Sequence, residues 1–178
     1  EAAWRLMKPT LAKICATGPA GAPCLGYFGA GGAGNYVKMV HNGIEYGDMQ
    51  LIGEAFALLT STSVCAGDAP RTSGACAAIF DAWNGGPLKS FLVEITGGIL
   101  KKLDGDGAPL VDKVLDSCGS KGTGKWTVKE AAEQGVPAGT IAAALEARYL
   151  SSLKATRGAL AAAAKPAAPA PARAVAAA

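Results

Sequence analysis

The sequence predicts an all-α fold, and three observations carry that prediction. Apolar residues recur at spacings of three and four in successive segments, as on a helix with one buried face. No stretch alternates apolar and polar residues over the length of a strand. Glycine and proline bunch between the periodic segments, where turns are needed.

Bulk composition narrows the class further. Of 178 residues, half are apolar and 17% charged, a balance that suits one globular domain with a real core. No apolar run approaches the ~18 residues that span a bilayer, so no membrane partner is expected. A net charge of +3 is too mild to imply nucleic acid. The five cysteines (Cys15, Cys24, Cys65, Cys76, Cys118) form no C-x-x-C pair and meet a single histidine. They read as reduced thiols, and no metal site is expected. The chain begins at Glu1 without a basic segment and apolar core of a signal peptide, and reads as a fragment or processed product.

Residues 1–14 place Trp4, Met7, Leu11 and Ile14 at helical spacing, with Pro9 tolerable only near the start of that helix. A Gly/Pro-rich loop follows from Thr17 to Gly34, then a long helix from about Asn35 to Leu59. Ser61 to Thr72 reads as loop. Ser73–Trp83 forms a helix ended by Asn84-Gly85-Gly86, and Pro87 suits the first position of the next, whose apolar residues run from Leu88 to Leu100. Asp104-Gly105-Asp106-Gly107 makes a turn, lacking the closing glutamate of a calcium loop, and Pro109–Asp116 a short helix. Thr127-Val-Lys-Glu130 has the spacing of a capping box opening a helix that stops near Gly135-Val-Pro137. Thr140–Leu153 is the last amphipathic helix. From Ala159 onward, thirteen of twenty residues are Ala and three are Pro, which leaves no core-forming pattern and predicts a disordered tail.

The long helix carries the most chemistry. Lys38, His41, Asn42, Glu45 and Tyr46 fall within an arc of about 140° at ~100° per residue. Val37, Val40, Ile44, Leu51, Ala55 and Leu58 cluster within about 60° on the opposite side, a face suited to a core. A merely solvated face favours Lys, Glu, Gln and Arg, whereas this one gathers the only histidine, an amide and a phenol. Gly43 and Gly47 lie inside the same helix, each costing ~1 kcal/mol relative to alanine, so close approach of a neighbour or ligand is expected there.

Two glycine motifs resemble nucleotide sites. Gly29-Ala-Gly31-Gly-Ala-Gly34 fits G-x-G-x-x-G before a helix, but no second strand with an acidic end follows about 20 residues on. Tight packing into the helix is the better reading. Gly119-Ser-Lys121-Gly-Thr123-Gly124-Lys125 is one residue from a Walker A loop, with Trp126 where a Mg²⁺-binding hydroxyl is required. Such a loop can still bind an anion through backbone N–H groups and lysine charge.

Together these residues resemble the 6-phosphogluconate dehydrogenase family. The segment from Gly31 through Lys38, His41-Asn42 and Glu45-Tyr46 to Gln50 looks like its signature. Trp83-Asn84-x-Gly86 with Ser90–Thr96, Lys121–Thr127, and Ala147–Lys154 match in the same order. The resemblance covers about residues 1–157, read as a partial C-terminal helical domain, and leaves 158–178 as a low-complexity tail. It implies an enzyme that oxidises 6-phosphogluconate with NADP⁺ and decarboxylates the product to ribulose 5-phosphate, without a metal. It further implies Lys38 as base, Glu45 as acid, His41 and Asn42 as orienting residues, and Tyr46, Lys121 and Arg148 as phosphate ligands, with Thr123 secondary. NADP would be held mainly by an N-terminal dinucleotide-binding domain outside this segment. The intact enzyme would be a homodimer, cytoplasmic or, alternatively, plastidic. Asn35 departs from the family's usual histidine, with a packing change the expected effect, and the loop at Ser61–Ser73 looks longer than usual.

The chemistry sets conditions on the fold. A lysine near pKa ~10.4 is a poor base at neutral pH unless it is desolvated or set near other cations. Lys121 and Arg148 would be those cations if the fold brings them close. An alternative reading makes the segment a non-catalytic sugar-phosphate-binding or dimerisation module, since it holds no cofactor domain of its own.

Overall fold

The computed structural model describes residues 1–18, 20–61 and 71–164. The predicted loop after Ser61, Cys65 and most of the alanine-rich tail lie outside these residues. Among them the architecture is all-α: α1 (Ala2–Leu11), α2 (Ala33–Thr60), α3 (Ser73–Asn84), α4 (Phe91–Lys101), a 3₁₀ turn (Leu110–Lys113), α5 (Thr123–Glu133), α6 (Gly139–Ser152) and α7 (Lys154–Ala163). Two isolated bridges, Thr17 to Pro23 and Leu103 to Pro109, are the only strand-like pairings there.

The 28-residue α2 serves two small cores. Towards its C-terminal end, Ile52, Phe56 and Leu59 pack on the α3–α4 hairpin, around buried Cys76, Ala77, Phe80, Val93 and Leu100. Phe80 is 1% exposed, and burial of such a side chain contributes about 1.5–3 kcal/mol. Nearer the middle of α2, Tyr46 packs with Ala144, Leu145 and Val128 of α6 and α5.

The face of α2 that enters these cores is not the aliphatic one predicted. Val37, Ile44, Leu51 and Leu58 are all exposed, Ile44 by 53%, while Gly43, Tyr46 and Gly47 are buried. Absence of a side chain decides this. A Cβ on Gly43 would lie 2.6 Å from Thr127 of α5, and one on Gly47 would lie 3.2 Å from Thr140 of α6, so helix backbones approach here as they cannot across Val or Ile. The close approach expected of the two glycines is therefore made by neighbouring helices.

Several helix boundaries differ from expectation. Pro9 sits in the last turn of α1, not near its start; the helix ends two residues later, which confines the loss of one N–H. Pro87 lies in a turn, and α4 starts at Phe91 because the Ser90 hydroxyl caps it, accepting from Val93 N–H at 3.2 Å. Asn84 Oδ1 accepts from Ser90 N–H at 3.1 Å and holds that connection. Pro109–Asp116 is reduced to the 3₁₀ turn.

Thr127 is not a cap either. Helix α5 begins at Thr123, entered through Gly122 at φ +104°, which leaves Thr127 in the interior. Its hydroxyl donates to Thr123 C=O at 2.8 Å and to Met39 C=O of α2 at 3.0 Å. At the other end, the predicted tail is helical as far as Ala163. Alanine is the best helix former, the first tail proline is Pro166, and Asp116 pins the helix start through Lys154 and Arg157.

Candidate active-site helix and anion loop

Helix α2 presents the predicted stripe as two groups. Lys38, His41, Asn42 and Glu45 form the open group. Lys38 Nζ lies 3.3 Å from His41 Nδ1, Asn42 Oδ1 3.2 Å from the same nitrogen, and Glu45 Oε2 3.9 Å from it. One imidazole nitrogen cannot accept from lysine and donate to an amide oxygen at once. Nδ1 of His41 therefore serves one of the two at a time: bare, it accepts from Lys38; protonated, it donates to Asn42.

Tyr46 forms the second group, with residues of α6 and the 119–125 loop. Helix α2 delivers it 8% exposed against Gly124, where a Cβ would stand 2.6 Å from the ring. Arg148 of α6 lies over the Tyr46 ring, 3.8 Å from its centroid, and donates to Gly119 C=O at 2.8 Å. A hydrogen bond from Ser120 holds the Tyr46 phenol below the usual tyrosine range; Thr123, the Arg148 charge and the Lys121 backbone add to this, and burial opposes it. The surroundings thus favour negative charge at the phenol oxygen. The first turn of α5 starts at the same place, and its open N–H groups suit an anion.

Of the predicted phosphate ligands, Tyr46 and Arg148 are in contact, and Lys121 meets the Tyr46 phenol through its backbone while the residue is exposed. These cations do not gather at Lys38. Tyr46 is eight residues further along α2, about 12 Å at 1.5 Å per residue, and the polar neighbour of Lys38 is His41. Ser120 was missed in sequence; the only hint was its place inside the near-Walker loop. Thr127 was misassigned because a capping-box spacing cannot reveal that the helix has already begun.

A hollow of about 700 Å³ opens on the other flank of Glu45, lined by His41, Asp48, Leu51, Phe80, Trp83 and the 87–93 segment. It is largely apolar, and neither Tyr46 nor Arg148 lines it. The phosphate candidates therefore lie outside this hollow. The glycines at 29–34 lead straight into α2 with no strand before them, so the strand–turn–helix that a G-x-G-x-x-G cradle needs is not formed there. No three His, Cys, Asp or Glu side chains of the described residues gather as a metal would require. No described helix is long and apolar enough to cross a membrane.

Comparison with known proteins places this arrangement. The family described as "6-phosphogluconate dehydrogenase, C-terminal domain" matches residues 34–177, beginning at the entry to α2 and running beyond residue 157. The chain is similar to "6-phosphogluconate dehydrogenase, decarboxylating 1" of Oryza sativa subsp. japonica, 51% identical over 85% of this chain and 31% of the relative. It is likewise similar to the chloroplastic "decarboxylating 3" enzyme of Arabidopsis thaliana, 54% identical over 85% of this chain and 30% of the relative. Among solved structures, a Plasmodium falciparum 6-phosphogluconate dehydrogenase, described in apo form and with NADP⁺ or 6-phosphogluconate, superposes with a TM-score of 0.81. It is 43% identical and covers 92% of this chain and 34% of that one. The chain thus spans about a third of the length of the curated relatives it matches. With its helices in that arrangement and the match running from α2 through α7, the chain belongs to the 6-phosphogluconate dehydrogenase family, within the C-terminal helical domain.

Proposed function

We propose that this chain supplies the helical-domain part of the site at which an NADP-dependent dehydrogenase oxidatively decarboxylates 6-phosphogluconate to ribulose 5-phosphate and CO₂. The observation that supports it is the division of α2: an open group of amine, imidazole, amide and carboxylate, and beyond it a phenol set under a guanidinium beside an anion loop. Those two chemistries match the two ends of a sugar acid that carries a phosphate.

NADP⁺, when bound, would supply the hydride acceptor, and a dinucleotide-binding domain outside this segment would hold it. Lys38, in the role the family resemblance assigns it, takes the proton of the substrate's 3-hydroxyl as the C3–H bond is lost. The resulting 3-keto acid releases its C1 carboxylate as CO₂ and leaves an enediol, and Glu45 in its acid form delivers a proton to the former C2, which becomes C1 of ribulose 5-phosphate. His41 and Asn42 orient the hydroxyls, with the Nδ1 exchange keeping Lys38 and the amide in register. Tyr46, Lys121 and Arg148 hold the phosphate, assisted by Thr123. Homodimerisation of the intact enzyme fits the aliphatic face that α2 leaves exposed, and a cytoplasmic or plastid location fits relatives such as the chloroplastic one.

The single histidine provides the test, because its imidazole resonances are unambiguous in residues 1–178. Titration with 6-phosphogluconate is expected to move the His41 signals, with gluconate at least about tenfold weaker for want of the charge-assisted phosphate contacts. Equal responses to the two ligands, or none to either, would overturn the assignment.

A further inference from the structure

The stripe on α2 works only if the helix is held at one rotation, since about 100° separates successive residues. Three contacts fix that rotation against α5. The Thr127 side chain fills the space over Gly43, whose Cβ would stand 2.6 Å away. Its hydroxyl donates across the interface to Met39 C=O at 3.0 Å and along its own helix to Thr123 C=O at 2.8 Å. One turn further along α2, the Tyr46 ring fills the reciprocal space over Gly124. Each helix thus offers one glycine to the other's side chain. Thr127 is 5% exposed, so its hydroxyl would be costly to leave unbonded, and both acceptors are carbonyls of elements that carry site residues.

We propose that Thr127 is a positioning residue: locked over Gly43 and bonded to Met39 and Thr123, it sets the rotation of α2 so that Tyr46 meets the Ser120–Thr123 loop while Lys38, His41 and Glu45 face the open side. The link to substrate rests on the reading of this loop as the phosphate site. The interlock itself does not. Thr127 touches no reacting atom in this account; it acts through Tyr46 and through the first turn of α5.

Two readouts in residues 1–178 separate those levels. Without ligand, the Tyr46 phenol is followed by NMR with ¹³Cζ-labelled tyrosine in wild type, Thr127→Val, Thr127→Ala and Thr127→Ser, with helix content checked by circular dichroism. Val keeps the volume and loses the hydroxyl, Ala loses both, and Ser keeps the hydroxyl. The downward displacement of the Tyr46 titration is expected to disappear in Val and Ala and to return in Ser. With ligand, 6-phosphogluconate affinity should fall about tenfold in Val and Ala, because a small misplacement of an anchor is amplified in binding, and stay near wild type in Ser. A Val or Ala variant that folds with the Tyr46 titration unchanged overturns the proposal. So does a Ser variant no better than Ala. If wild type shows no 6-phosphogluconate binding, the functional reading falls, while the Tyr46 titrations still decide the interlock.

Discussion

Arg148 stands over the face of Tyr46 with its guanidinium carbon 3.8 Å from the ring centroid, and one of its N–H groups is committed to Gly119 C=O. The arginine therefore touches the phenol, the anion loop and α6 together. A planar, delocalised cation suits that post; a lysine ammonium stacks poorly and cannot fork. Arg148→Lys is expected to weaken 6-phosphogluconate binding about tenfold, measured by calorimetry, and to move the Tyr46 titration upwards towards the ordinary tyrosine value. Affinity equal to wild type would show that charge alone suffices.

Glycine substitutions along α2 and α5 should differ in sign. Gly124→Ala forces a methyl within 2.6 Å of the Tyr46 ring, and overpacking of this kind costs about 1–3 kcal/mol. At Gly53 of the same long helix nothing lies within 4 Å of an added Cβ, so Gly53→Ala is expected to stabilise by about 0.5–1 kcal/mol. Chemical denaturation of the two variants against wild type gives both signs in one experiment.

The start of α7 should loosen in acid. Hydrogen bonds from Lys154 and Arg157 depress the Asp116 carboxyl to about 2. Its unfolded counterpart titrates near 3.9. Because the folded form is the better acid, the stabilisation is complete above the unfolded value and is lost as pH falls through the folded one. Protection of the Ala155–Gly158 amides, taken relative to the intrinsic exchange rate at each pH, is therefore expected to fall between about pH 4 and pH 2, and Asp116→Asn should show the lower protection at neutral pH already.

Base and anchor should be separable. In an enzyme that joins this segment to a dinucleotide-binding domain, Lys38→Met is expected to abolish turnover while 6-phosphogluconate affinity stays within about threefold, because the phosphate contacts lie about 12 Å away along α2. Residues 1–178 alone are expected to produce no NADPH from NADP⁺ and 6-phosphogluconate. Absorbance at the NADPH band checks both, and turnover by Lys38→Met would remove the base assignment.

The chain's periodicity located α2, α3, α5 and α6 to within a few residues, α5 less closely, because three-to-four spacing of apolar residues survives in any helix with one dry side. It misjudged which side of α2 is dry. Hydropathy ranks Ile44 and Leu51 above glycine, yet the space vacated at Gly43 and Gly47 admits a whole helix and makes the glycine side the packed one. The chemical residues were legible because they share one helix: a spacing of three or four puts Lys38, His41 and Glu45 together whatever the tertiary fold. Ser120 and Thr127 were not, since their partners lie 74 and 88 positions away, across an interface that no local pattern records.

A continuous helix also makes chain length, rather than residue identity, the fragile variable in this segment. Lys38, Glu45 and Tyr46 keep their separations only by the count of residues between them. One residue inserted or deleted there would swing the phenol about 100° around the axis and slide it about 1.5 Å relative to the amine. Tyr46 would leave its seat on Gly124, and the phenol and the amine would no longer hold their places relative to one another. A substitution at an exposed position such as Ile44 can be absorbed; an indel of one residue ought to be as damaging as loss of the amine itself.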